Sequence, residues 1–433
     1  MTGLLVALIV FPLIGAAAAS VLPRRDAADG GGVVNGIVAN AGEAFLLGAG
    51  ICGTLLFIAG ALGISLRWTL IALLIASMAR LFAVRRSLFA ERRSPITYDR
   101  AATIVLAVPL LVLAFDATIA PLNDFDGRVF WVLKAKGIAD EQSIRGPLFH
   151  GGSAYDPRNQ YPLLVPIDAA VVLTLARDLD DHQVRWFYLL LFIALALHLR
   201  ERLARRFTPA IGAWCAALLV WIPQFAVAAE GGARSGYSDM AVAAFVAGAF
   251  LELAAAESPM RFALWLAFLP LTKNEGLVLA ILLFVAGCAV FRRRIWPAAL
   301  ALVIAIASLV WWRLDVPPSN DENLVGDWRL ILHRLDRVPI ALGGMLRHMT
   351  TLASWGGFWI AVAVALALLA WRRDRLAILP ATMLVAILGL YFGVYLATHW
   401  VVVDLINASF DRLLMHAIGP AMYVVAAGAK DGR

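Results

Sequence analysis

Charged side chains are scarce in this chain. Asp, Glu, Lys and Arg supply 15% of its 433 residues, against about a quarter in soluble domains, which excludes an ordinary water-soluble domain. Cysteine is scarcer still. Only Cys52, Cys215 and Cys288 occur, all within apolar runs, so a disulfide-built secreted module is excluded and each reads as an unpaired, buried small hydrophobe. No glycine-rich phosphate loop or Rossmann fingerprint is found. No basic stripe interleaved with aromatics is found either, so the net charge of +7 does not point to nucleic acid. What is abundant is hydrocarbon: 62% of residues are hydrophobic and mean hydropathy is +0.81. Disorder is excluded by the same figures, and apolar runs near the about 20 residues that cross a bilayer predict an all-α, polytopic membrane protein.

About thirteen runs read as spanning helices, near 4–22, 44–64, 67–84, 101–118, 184–199, 209–228, 238–256, 261–272, 276–291, 295–313, 356–371, 376–397 and 411–428. The first resembles a secretory signal, yet no basic residue precedes it and Arg24 and Arg25 follow, which predicts a retained helix with its amino end outside. Arg85, Arg86, Arg92, Arg93 and Arg100 fall in one connection, and Arg200, Arg202, Arg205 and Arg206 in another. Arg292 to Arg294, then Arg372, Arg373 and Arg375, then Lys430 and Arg433 continue the alternation. The positive-inside rule makes these connections cytoplasmic, as topology anchors without a catalytic role. The carboxyl end is then cytoplasmic, and polar segments 119–183 and 314–355 lie on the outer face. This divides the chain into amino-terminal helices (1–100), a membrane core (101–313), an outer amphipathic segment (314–355) and carboxyl-terminal helices (356–433).

In the first outer loop, Val129, Phe130, Val132 and Leu133, with Trp131, Lys134 and Lys136 among them, predict a helix lying on the interface. Gly151, Gly152, Pro157 and Pro162 mark turns. Asp124 and Asp126 stand at the start of that helix, where a short acidic side chain caps and the dipole favours a carboxylate. The alternative is a general base, taking the proton of an acceptor hydroxyl as it attacks an activated carbon. Both readings stay open. Tyr161 then leads into Leu163 to Ala176, about 14 residues containing Asp168, which reads as interfacial or re-entrant.

Arg261 to Phe291 is apolar except at Thr272-Lys273-Asn274-Glu275-Gly276, and its two flanks read as cytoplasmic, so a hairpin is predicted. Its first arm rises only ~18 Å against a hydrocarbon core of ~30 Å, which recesses the tip. Charges at that depth are costly outside a polar cavity; Lys273 and Glu275 either neutralise each other across the turn, or Lys273 meets the phosphate of a lipid carrier. Glu230, Arg234, Tyr237 and Asp239 cluster in EGGARSGYSDM, where Ser238 or Asp239 also suits a helix cap. His399, Asp404, Asn407, Asp411 and Arg412 close the outer side. Arg412 opens the last span and either snorkels or presents its planar fork to a phosphate. An amphipathic helix is predicted over 324–351, with His333, Arg334, Arg337, Arg347 and His348, its Arg residues facing lipid headgroups or an acidic acceptor glycan. No zinc-type spacing occurs there.

Five short stretches, FDGRVFWVLKAK, QYPLLVP, SGYSDM, LTKNEG and SFDRLL, occur in an order that resembles the GT-C integral membrane glycosyltransferases, which use polyprenyl-phosphate sugar donors. Protein O-mannosyltransferases and the lipid A aminoarabinose transferases belong to that class. The resemblance covers residues 101–428, and Phe125 stands where bacterial members carry Trp. It implies a GT-C-like all-α fold with outer-face interfacial helices in a bacterial inner membrane, and an inverting transfer in which an outer-loop Asp is the base. Asp126 matches that position; Asp124, separated from it by Phe125, departs from the adjacent acids of some relatives. A sugar on a lipid phosphate leaves as a phosphate anion, so the chemistry needs one base and cations for the leaving group. Lys273, Arg412 and Arg234 are the candidate cations, with Tyr161, Tyr237, Asp239, Glu275 and His399 lining the site. The implied partners are the lipid-linked donor, a glycan, lipid or protein acceptor, and membrane lipid. Some relatives use a divalent cation, but no ligand set here argues for one. The competing class is a secondary transporter with a broken-helix site at Lys273–Glu275; against it stand the lack of an internal repeat and the long aromatic outer loop.

Overall fold

A computed structural model describes residues 1–22, 41–89, 99–122, 124–150, 158–317 and 328–430. Arg24, Arg25, Arg92, Arg93, Arg433 and the turn residues Gly151, Gly152 and Pro157 lie outside the described residues. Every regular element among the described residues is helical. The main helices are α1 (Thr2–Ala19), α2 (Ala41–Ala61), α3 (Leu66–Phe89), α4 (Arg100–Ile119), α5 (Leu133–Glu141), α6 (Leu164–Ala176), α7 (Asp181–Arg206), α8 (Pro209–Trp221) and α9 (Asp239–Ala255). They are followed by α10 (Pro259–Thr272), α11 (Asn274–Phe291), α12 (Trp296–Asp315), α13 (Val338–Thr350), α14 (Phe358–Trp371), α15 (Ile378–Ala397), α16 (Val402–Met415) and α17 (Ile418–Gly428).

Local chemistry sets several starts. Asp99, Asp180, Thr208 and Ser258 accept backbone amides at the heads of α4, α7, α8 and α10, and Pro209 and Pro259 follow two of these caps. Among the described residues, six stretches are long and apolar enough to cross a membrane, and five further apolar helices are shorter. One stretch, Asn274–Asp315, counts 42 residues, about 63 Å as a continuous helix. Arg292, at φ 51°, breaks it into α11 and α12. The outer helices α3 and α4 turn Phe82, Leu111 and Phe115 outward at 66–69% exposure, an apolar surface that water does not favour and bilayer does. The protein is therefore membrane-embedded.

Helix α9 is the hub, buried from Asp239 through Leu253. Close crossings elsewhere depend on glycine: a Cβ on Gly15 or Gly48 would lie 1.8 Å from a carbonyl oxygen of the facing helix, which ties α1 to α2. Asp239 and Glu252 mark the two ends of α9, about 20 Å apart along its axis. Around Glu252 lies a buried ion cluster. Arg261 reaches Glu43 at 3.0 Å and Glu252 at 3.7 Å, while Arg202 reaches Glu252 at 3.4 Å and Glu257 at 2.9 Å. Arg202 is thus a buried junction of α7 and α9, not the plain topology anchor expected of it.

Several expectations are corrected. Helix α6 does not lie on a surface as the interfacial alternative had it, because Leu164 through Leu173 are all buried; the re-entrant alternative is compatible with that burial. The outer amphipathic helix runs over Val338–Thr350, preceded by single turns at Trp328–His333 and Leu335–Arg337, and 318–327 lies outside the described residues. Arg334 and Arg337 donate to the carbonyls of Ala397 and Thr398 at the end of α15, closing orphan carbonyls there. Arg412 belongs to the amphipathic helix α16; the last apolar helix starts later, at Ile418. Cys288 is exposed on the outside of the bundle, and only Cys52 and Cys215 are buried.

Candidate functional site

The end of α9 opposite the ion cluster gathers residues from several distant segments. The first is the loop after α4. It enters a π-helical turn, Gly127–Val132, that continues as α5, and this element is packed inward, not laid on a surface: Trp131, Val132, Lys134 and Ala135 are buried. Asp124 caps it, its Oδ1 accepting the Gly127 amide at 3.1 Å, and the Tyr237 side chain lies close enough to favour its ionised form. Asp126, half-buried one residue before the turn, makes no capping bond. Capping and proton abstraction thus fall to different side chains.

The second segment is SGYSDM. A Cβ on Gly127 would lie 1.9 Å from the Ser235 oxygen, so the Asp126-Gly127 backbone sits directly against Ser235–Gly236. Gly236 itself takes φ +75°, a conformation that costs other residues. The next residue, Tyr237, lies under the Arg412 guanidinium, 4.8 Å from ring centre to Cζ. Gly231, at φ +83°, leaves room for the Arg412 stem, whose Cγ would be 3.0 Å from a Cβ there. Arg412 Nε stands 3.4 Å from Glu230, and Nη2 donates to the Ala408 carbonyl.

Deeper lies Asp239, fully buried. Lys273 Nζ donates to its Oδ1 at 2.8 Å and also meets Glu275 at 3.3 Å, so the closer partner of Lys273 is not the acid across its own turn. The backbone at Lys273 is extended between α10 and α11, which aims the ammonium inward. His416 Nε2 approaches the same Asp239 oxygen at 3.3 Å, and its Nδ1 is 2.6 Å from the Tyr391 hydroxyl. Asp239 Oδ2 and Arg412 Nε are buried without a hydrogen-bond partner among the described residues. His416 and Tyr391 escaped the sequence reading, since a lone polar ring inside an apolar helix carries no spacing signal.

An aromatic wall completes the site. Trp131, Tyr161 and Tyr237 form one buried cluster with Phe130 against it, and Trp131 and Tyr161 are 5.8 Å apart. Lys134 lies 5.5 Å from the Tyr161 ring and donates to the Arg158 carbonyl at 2.6 Å.

Two expected members are elsewhere. Arg234 clasps Asp116 through two bonds of 2.9 and 2.8 Å, and Arg185 pairs with the same carboxylate; Arg234 is a brace between α4, α7 and this loop. His399 is exposed before α16, and no hydrogen bond or ion pair among the described residues joins it to the cluster.

The electrostatics are acidic overall. Burial pushes the Asp124 and Glu230 carboxyls upward, against the opposing pull of the Gly127 amide on Asp124 and of Arg412 on Glu230. Asp126, Tyr237, Glu230 and Arg412 lie close enough to act on one another's charges. Such an arrangement supplies a carboxylate, a guanidinium and a held ammonium at one end of α9. Among the described residues no group of three His, Cys, Asp or Glu side chains is placed to hold a metal ion. Neither protein-family models, nor curated proteins, nor solved structures match this chain.

Proposed function

We propose that this protein is a glycosyltransferase that moves a sugar from a polyprenyl-phosphate donor to an acceptor hydroxyl, with inversion, at the outer face of a bacterial inner membrane. The observation that carries the reading is that Asp126 lies close enough to act on the charge of Arg412, 286 residues away in sequence, while Arg412 in turn acts on Lys273 and Asp239, all at one end of a membrane bundle. Asp126 is the base because its neighbour Asp124 is committed to the helix cap. It takes the acceptor proton as the hydroxyl oxygen attacks the anomeric carbon, and the bond to the lipid phosphate breaks. Arg412 is the principal ligand of the departing phosphate, since a guanidinium matches it bidentately. Lys273 supports from behind, being already paired with Asp239. No step is routed through a metal. About thirteen spans, with the amino end outside and the carboxyl end inside, complete the reading: Arg202, from the Arg200–Arg206 connection, lies at the Glu252 end, which is then cytoplasmic.

The second reading, a carrier, is favoured by the extended break at Lys273 between two apolar helices. Reconstitution separates the two. The purified protein in liposomes without any gradient is expected to release free polyprenyl phosphate and form a new glycosidic bond. Gradient-dependent uptake of a solute with the donor left intact would favour the carrier.

A further inference from the structure

A crevice of about 670 Å³ opens between α3 and the α5–α6 pair and shares no lining residue with the Asp126 cluster. Its two long walls carry matching stripes. On α3, Arg67, Leu70, Ile71 and Leu74 line it, and on α6, Ile167, Ala170, Val171 and Thr174 do. Both sets follow the i, i+3, i+4, i+7 spacing of one helix face. The polar ends coincide. Arg67 begins the stripe on α3, and Arg177 lies one turn beyond Thr174 at the end of α6, so both guanidiniums flank the mouth. From Arg67 to Leu74 the hydrocarbon wall extends about 10 Å along the axis.

The charges at the mouth are unequal in availability. The side chains of Arg67 and Arg177 have no hydrogen bond or ion pair among the described residues, and both residues are exposed. Asp178 is occupied by the Asp180 amide at 3.0 Å and by Gln183 at 2.8 Å, leaving Asp140 as the acid without such a bond. Helix α3 is the most thinly covered of the long apolar helices, 11% buried, so the crevice faces the surrounding bilayer sideways. A volume near 670 Å³ falls within the range of about 300–1,000 Å³ typical of small-molecule sites.

We propose that this crevice binds a membrane lipid with a phosphate headgroup, the phosphate between Arg67 and Arg177 and an acyl chain along Leu70, Leu74 and Val171. Two forked guanidiniums recognise phosphate better than any other lipid group, and aliphatic walls below them suit a hydrocarbon tail. The site is separate from the donor site and does not depend on the transfer reading. It gives the amino-terminal helices a role, because α3 supplies one whole wall.

The test uses the full chain in detergent, titrated with didecanoyl phosphatidylglycerol, the matching diacylglycerol, or inorganic phosphate, with binding read by native mass spectrometry and thermal shift. Phosphatidylglycerol is expected to bind saturably at one site, at least tenfold more tightly than diacylglycerol, and inorganic phosphate is expected to produce no shift. Arg67→Gln with Arg177→Gln should weaken phosphatidylglycerol binding at least tenfold. Ile71→Trp, which narrows the crevice with both Arg residues intact, should weaken it as strongly. Wild-type affinity in either variant overturns the proposal. So does equal binding of diacylglycerol, which removes the phosphate, or equal binding of inorganic phosphate, which removes the lipid.

Discussion

Asp124 binds the Gly127 amide and lies close to the Tyr237 side chain, whereas Asp126 makes no capping bond, so substitutions at the two positions should differ in kind. Asp126→Asn is expected to fold and to lose about a hundred- to ten-thousand-fold in turnover, the usual contribution of a general base. Asp124→Asn should keep most activity, because Asn caps as well as Asp; Asp124→Ala should cost about 1 kcal/mol in stability. A urea melt beside an activity assay separates these outcomes. Lys273 presents the opposite case, a residue with both a packing and a chemical role. Lys273→Met leaves the buried Asp239 without its ammonium, with only His416 beside it, at about 3–5 kcal/mol, while adding Asp239→Leu should restore most of the stability without restoring donor use. If the double variant stays as unstable as the single, the pair does not account for the loss. The acid pair, Lys273, Tyr237 and Arg412 were all singled out in the sequence as polar residues at the ends of apolar runs. Which of them touch was not legible, since Asp239 and Lys273 stand on different helices and nothing local records the pairing. Arg234 misled because a guanidinium in a polar loop looks alike whether it awaits a phosphate or is clasped by Asp116.

At the scale of elements, α13 is held to α16 by charge. His348 Nδ1 lies 3.1 Å from Asp411, which also accepts from Trp355 at 2.9 Å and Ser354 at 3.1 Å. The Asp411 hydrogen bond raises the His348 ring above its ordinary range. For Asp411, burial opposes ionisation, but the bonds from His348, Trp355 and Ser354 outweigh it and hold the carboxyl low. The signs fix a window. A raised His stabilises fully below its unfolded value, near 6.5, and loses this as pH rises through the folded one; a lowered Asp stabilises above about 3.9 and loses this as pH falls. Amide exchange in α13 should therefore be slowest between those limits and accelerate on either side, and His348→Gln should flatten the alkaline limb. An alkaline limb that persists in this variant would assign the effect elsewhere. Close backbone approach sets a further constraint: Gly127→Ala places a methyl 1.9 Å from the Ser235 oxygen, and turnover should fall with helical content unchanged. Helix existence was readable from apolar runs and caps. Boundaries failed where tertiary contacts decide them, as at α16, which ends at Met415 before the last apolar helix begins.

For the whole molecule, the two charged ends of α9 define an axis. Glu43, Arg202, Glu252 and Arg261 meet at one end, and Asp239, Lys273 and Arg412 gather at the other. The alternation of Arg clusters anticipated that separation, because it reports which ends of successive helices lie together. The burial of Arg202 and Arg261 was not anticipated, since hydropathy alone does not say which cations face the core. Single cysteines at Phe125, 70% exposed, and at Lys430 should react with a membrane-impermeant thiol reagent from opposite sides of sealed vesicles. Labelling of both from the same side would overturn the proposed orientation. The most direct measurement of the central claim is the release of polyprenyl phosphate from a polyprenyl-phosphate sugar by the purified protein and by Asp126→Asn, compared at equal folded concentration. The account predicts acceptor-dependent release by the wild type and at least a hundredfold less by the variant. Equal release by the two, or none by the wild type with any polyprenyl-phosphate sugar, would contradict it.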